Sequence, residues 1–137
     1  MLGRHPKKFH SVEQAAQIAR RRVPRSISRF IEGGTEQELT VRANRDALDR
    51  LAFLPRAAEV HTNPTLSRTV LGQELAMPVV LAPAGHIRLA HHDGETGAAR
   101  AAGRAGIPIG VSTLAAHDIF DIAAATTGPV WYQLYFA

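Results

Sequence analysis

The spacing of apolar residues changes its period once along the chain, and each period predicts a different kind of element. Between residues 11 and 51 apolar positions recur every three or four residues, as on one face of a helix. Val12, Ala15, Ala16, Ala19 and Val23 form one stripe, Ile27, Phe30 and Ile31 a second, and Leu39, Ala43, Ala47, Leu48 and Leu51 a third. "SVEQ" at 11–14 is a capping box: the Ser11 hydroxyl can accept from the Gln14 amide, and Gln14 can reach back. Pro24 suits a first helical turn, and Gly33-Gly34 suits a helix end. "TEQE" at 35–38 repeats the capping-box pattern and predicts that Thr35 opens the third helix. The expectation is a helical block over 1–65 with its stripes turned inward.

From about residue 66 the texture differs. "SRTVLGQELAMP" alternates around a Leu-Gly pair, which predicts a β-hairpin within 66–77. Three continuous apolar runs follow: "PVVLAPA" at 78–84, "IPIGVST" at 107–113 and "VWYQLY" at 130–135. Continuous apolarity marks strands covered on both faces, as in parallel sheets. Helical patterns separate them, "GETGAARAAGRAG" at 94–106 and "HDIFDIAAATTG" at 117–128. Strand, helix, strand, helix, strand places 78–137 in the α/β class. Such a run begins either an open doubly wound sheet or a closed barrel, and a barrel needs roughly 250 residues. The last run carries Trp131, Tyr132, Leu134 and Tyr135 with no helix after it, so the expectation is the N-terminal part of a longer protein.

Composition narrows the classes. Apolar residues make up 45% of the chain and charged ones 20%, a globular balance. No apolar run is long enough for a membrane-spanning helix, and the basic N-terminus is not followed by a secretory apolar segment. The absence of cysteine excludes disulfides, thiolate nucleophiles and cysteine metal sites, and a cytoplasmic location is expected. The net charge is +4, and eight of the sixteen basic residues fall within 1–30 (Arg4, Lys7, Lys8, Arg20, Arg21, Arg22, Arg25 and Arg29). No aromatic residues interleave with the arginines, so a solvated helix face is expected there and no nucleic-acid partner.

In parallel α/β folds chemistry collects at the carboxyl ends of the strands. Those ends are Pro83-Ala84-Gly85-His86, Ser112-Thr113-Leu114 and the stretch from Gln133 to Tyr135. The set is neutral, small and hydrogen-bonding, which suits a flat heterocycle with amide and carbonyl edges. Neither a GxGxxG after the first strand nor a GxxxxGK[ST] is present, so a nicotinamide-type site is disfavoured and a P-loop excluded. His86, His91, His92 and Asp93 or Glu95 match no standard zinc spacing, and no metal is expected. Asp93 and Glu95 are explained as first-turn acids favoured by the helix dipole, and His117 as structural.

Five stretches together resemble one family, the FMN-dependent α-hydroxy-acid oxidases and dehydrogenases. They are "FIEGGTEQELTVRANRDALDRLAFLPR", "LGQELAMPVVLAPAG", "GETGAARAAGRAGIP", "VSTLA" and "WYQLY", in the family's order and spacing. The resemblance implies an N-terminal helical block and the first three strands of a TIM (β/α)8 barrel, with FMN at the barrel's C-terminal face. By position, Pro83, Ala84 and Gly85 would lie against the flavin, Ser112 would hydrogen-bond its ring, and Gln133 its pyrimidine edge. Tyr135 would reach both flavin and substrate and is the candidate catalytic residue. Phe30 and Leu114 would line the substrate site, standing where the family usually has a tyrosine and often an aromatic residue, and Ala84 replaces a common threonine. The resemblance implies oxidation of a small-molecule 2-hydroxy acid, with flavin reoxidised by oxygen, quinone or cytochrome, in a homotetrameric parent. It places the family's histidine base, arginine, lysine and phosphate site after residue 137, so the chain alone is expected to be inactive. Two alternatives stand beside it: a non-catalytic α/β binding domain, and a relative acting on a modified-peptide substrate.

Overall fold

The three expected N-terminal helices form, but not all of their start signals act as predicted. A computed structural model describes residues 9–136; Arg4, Lys7 and Lys8 of the basic N-terminus lie outside them. The described chain forms two units that divide after Ala57. In the first, α1 spans Val12–Arg20, α2 Arg25–Glu32 and α3 Leu39–Asp49. Ser11 is extended, and its Oγ accepts from the Gln14 amide at 3.2 Å. Gln14 Oε1 in turn accepts from the His10 amide at 2.8 Å, one residue before the cap. Pro24 stands at the N-cap of α2, one residue before the first turn expected for it, and Gly33 ends the helix as expected.

Thr35 does not cap α3. Its carbonyl accepts from the Glu38 amide at 2.9 Å, which closes a turn and moves the helix start to Glu38. Glu38 takes a left-handed conformation (φ 56°), and its carboxylate accepts from the Gly34 amide at 3.1 Å. The inward stripes are corrected as well. None of the three helices buries a residue, and Phe30, Ile31, Leu39, Leu48 and Leu51 are exposed. Helices of two or three turns in so short a unit have too little partner surface to cover one another.

In the second unit the hairpin forms where alternation placed it, with β1 at Arg68–Val70 antiparallel to β2 at Gln73–Leu75. Leu71 and Gly72 both have positive φ (52° and 73°), the twist a two-residue hairpin turn requires. β3 (Ile109–Ser112) and β4 (Val130–Gln133) pair in parallel, with Ile109 opposite Val130 and Ser112 opposite Gln133. α4 spans Gly94–Ala105 and ends at Gly106, which has a φ of 65°. α5 covers only Ile119–Ala124, shorter than the 117–128 pattern, because Asp118 caps its start and a turn follows at Thr126–Gly128.

The run 78–84 is not a full strand. It contributes one parallel bridge, Leu81 with Ile109. The Leu81 amide donates to the Pro108 carbonyl at 3.0 Å, and its own carbonyl accepts from Gly110 at 2.8 Å. Pro83 has no N–H with which to extend that ladder, and on the other side the Val79 amide is turned to the Met77 carbonyl at 2.8 Å. Ile109 and Val111 face the helices and join Ala99, Ala102, Ile107 and Ile122 in the buried core. The period of two then puts Gly110 and Ser112 on the opposite face, beside Trp131 and Gln133. There the Trp131 indole donates to Gln73 Oε1 at 2.8 Å, fastening the hairpin to β4. The second unit is thus α/β, a parallel β3–β4 pair crossed by α5 and backed by α4.

Candidate functional site

Close backbone approach assembles the site. A Cβ on Gly110 would lie 2.7 Å from Pro83 Cδ, so only glycine lets the Pro83–Gly85 segment lie across β3. A Cβ on Gly85 would fall 2.9 Å from Leu114 Cβ, which brings that segment against the loop after β3. The His86 amide donates to the Leu114 carbonyl at 3.2 Å. On the other side, the Thr113 hydroxyl donates to the Gln133 carbonyl and accepts from the Tyr135 amide at 3.0 Å. The carboxyl ends of the three apolar runs therefore meet around the loop 112–117. Pro83, Ala84, Gly85, Ser112, Leu114, Gln133 and Tyr135 share this end of the second unit. Phe30, the remaining candidate, lies on α2 of the first unit and is 63% exposed.

The polar inventory of this floor is neutral. Ser112 is 3% exposed, and its Oγ accepts from the Leu114 amide at 3.1 Å, leaving the hydroxyl proton for another acceptor. The Gln133 carboxamide, the Tyr135 hydroxyl and the Ala84 and Gly85 amides have no hydrogen-bond partner among the described residues. Tyr135 is 53% exposed and Leu114 47%. Donors and acceptors at a strand end, with apolar surface from Leu114 beside them, fit the edge and face of a flat heteroaromatic ring. His86, next in the chain, has a φ of 57° and opens a short 3-10 turn at Ile87–Leu89.

Glu95 and His117, a helix-start acid and a structural histidine by sequence, hold this end together. Glu95 is in the first turn of α4, as the dipole argument expects, but it is 2% exposed. Its Oε1 accepts from the Ala116 amide at 3.2 Å and its Oε2 from His117 Nδ1 at 2.7 Å. Burial raises the Glu95 pKa, yet the bonds from His117, its own amide and Ala116, with the His117 charge, outweigh it. The carboxyl is held below the ordinary glutamate value. A sequence signal was available: Glu95 precedes Ala98, Ala99 and Ala102 by three, four and seven residues, which puts it on the inward stripe.

The histidine-rich stretch is arranged differently. Ligand atoms of His91, His92 and Asp93 lie within 4.8 Å of one another, and both imidazoles are exposed. The Asp93 carboxylate is already paired with His92 at 3.2 Å and with the Arg100 guanidinium at 3.1 Å, a cation that competes with any metal. No helix among the described residues is long and apolar enough to cross a membrane.

The sequence matches the profile of a family described as FMN-dependent dehydrogenase over residues 19–137. An L-lactate dehydrogenase of Allorhizobium ampelinum is 42% identical over 119 residues, 87% of this chain and 31% of that protein. Glycolate oxidase 1 of Oryza sativa subsp. japonica is 34% identical over 125 residues, 91% of this chain and 34% of that protein. A crystal structure of mandelate oxidase superposes with a TM-score of 0.87 at 36% identity, covering 94% of this chain and 37% of that one. The chain spans about a third of the length of these relatives.

Proposed function

The chain belongs to the FMN-dependent dehydrogenase family of flavin enzymes, and from that premise we propose that its second unit supplies the flavin-facing floor of a 2-hydroxy-acid oxidase or dehydrogenase. The reaction proposed is oxidation of the α-carbon of the hydroxy acid to the 2-oxo acid. FMN, when bound, supplies the two-electron acceptor and is reoxidised by oxygen, quinone or a cytochrome. The observation that carries this reading is the convergence of three uncharged strand ends, with Ser112 directly opposite Gln133.

In that reading the Ala84 and Gly85 amides approach the ring, with Pro83 pinned beneath them by Gly110. Ser112 would hydrogen-bond the ring edge through its hydroxyl, and the Gln133 carboxamide would hydrogen-bond the pyrimidine edge. Tyr135 directs its hydroxyl to the substrate and so binds or polarises the hydroxy acid. Leu114 contributes apolar surface alone, which favours a hydroxy acid with a bulky side chain over glycolate. The proposed architecture is a helical block over 1–65, a hairpin over 66–77 and the first βα units of a (β/α)8 barrel over 78–137. The proposed parent is a cytoplasmic homotetramer, and the 137-residue chain is proposed to be inactive alone.

The test compares the product of the complete reading frame with the 137-residue chain. The complete product should purify with flavin and bleach its visible absorbance when mandelate or lactate is added without oxygen. The short chain should show no turnover. A complete product that binds no flavin, or whose flavin no 2-hydroxy acid reduces, would sink the proposal.

A further inference from the structure

Glu95 is a buried carboxylate, and both of its oxygens are spent on one loop. Oε1 takes the Ala116 amide and Oε2 takes His117 Nδ1–H. That loop is also where the three strand ends meet. Through Leu114 it accepts the His86 amide, and through Thr113 it holds the Gln133 carbonyl and the Tyr135 amide. The packing around Glu95 is correspondingly tight. Gly94, with a φ of 46°, leaves no room for a Cβ, which would meet Arg88 Cγ at 2.5 Å and His117 Cε1 at 2.9 Å. His117 and the Arg88 stem therefore lie against Gly94 at the start of α4, and Glu95, next in the chain, is 2% exposed.

We propose that Glu95 is a positioning residue for the flavin floor, a buried clamp from α4 that fixes the β3–α5 loop and, through it, Ser112, Leu114 and the Pro83–His86 segment. The site role rests on the flavin reading above, whereas the clamp itself rests on geometry alone. A leucine of similar size would fill the space but would leave the Ala116 amide and the His117 nitrogen without their acceptor. Sequence position alone would make Glu95 an exposed helix-start acid; its burial and its two partners across elements make it a tether.

Amide hydrogen exchange on the 137-residue chain tests the clamp. Glu95→Ala should speed exchange at His86 and Ala116 by about tenfold, a local loosening of the kind that losing one hydrogen bond allows. The ladder amides of Ile109 and Gly110 should change by less than about threefold. Glu95→Gln keeps an acceptor for Ala116 and should protect that amide better than alanine does. Should Glu95→Ala fail to fold, Glu95→Gln and His117→Ala decide by the same local pattern. Acceleration spread evenly over loop and ladder would reduce Glu95 to a general stability residue, and no acceleration would remove the clamp; either overturns the proposal. On the complete protein, the FMN dissociation constant should rise about tenfold in Glu95→Ala, and an unchanged constant overturns the positioning role. Failure of the unsubstituted complete protein to bind FMN would instead defeat the flavin reading, leaving the exchange result to judge the clamp.

Discussion

At the scale of single residues, the same carboxylate makes stability depend on pH with a fixed sign. Its folded pKa is depressed below the ordinary value of 4.5. Its contribution is therefore complete above that value and is lost as pH falls through the lower folded pKa. Urea titrations from neutral to acid pH should show unsubstituted chain and Glu95→Gln converging as the pH drops below 4.5; parallel curves would show that Glu95 does not titrate as argued. Gly110 gives a second expectation. Alanine there must displace Pro83, and overpacking of this kind costs about 1–3 kcal/mol, readable in a denaturation midpoint. An unchanged midpoint would mean that the Pro83 segment yields freely. Strand-end residues such as Ser112 and Gln133 were legible in the sequence because a general rule of parallel folds points to them. Glu95 was not, because the helix dipole accounts for a first-turn acid whether it is exposed or buried.

At the scale of elements, periodicity located every helix and the hairpin, while backbone chemistry decided where each began and ended. Residues 78–84 have the apolarity of a buried strand, yet Pro83 lacks an N–H and the Val79 amide bonds Met77, which reduces their pairing to the Leu81 bridge. The hidden variable was the count of available N–H groups, which hydropathy does not report. Thr35 and Glu38 fit the capping-box spacing, but the turn through Thr35's carbonyl used the alternative geometry open to such residues. The hairpin turn contains a similar local conflict. Leu71 occupies the first of two left-handed positions, where a side chain without local hydrogen bonding is strained, and it is exposed. Leu71→Asn should therefore stabilise the second unit by about 0.5–1 kcal/mol, raising its thermal midpoint. A lower midpoint would show that Leu71 makes packing contributions its exposure hides.

On the scale of the whole molecule, apolar surface is unevenly covered. The buried cluster belongs entirely to the second unit, around α4, α5 and β3, whereas the three N-terminal helices bury nothing. The sequence could not foretell this, since a stripe of period 3.6 specifies which face wants covering and not whether a partner is there to cover it. β4 carries the same consequence in a sheet. In the β3–β4 sheet it has a neighbour on one side only, and Tyr132, Leu134, Tyr135 and Phe136 are exposed on and after it. An edge with no strand partner among the described residues, bearing aromatic side chains, is a template for pairing with a further strand, such as one from a second copy. The isolated 137-residue chain should accordingly sediment with a mass that grows with concentration. Tyr132→Lys sets a charge on that strand and should hold the chain monomeric to a concentration about tenfold higher, as lysine does on natural sheet edges. Equal self-association by both would move the contact away from β4, leaving the uncovered faces of α2 and α3 as the surface responsible.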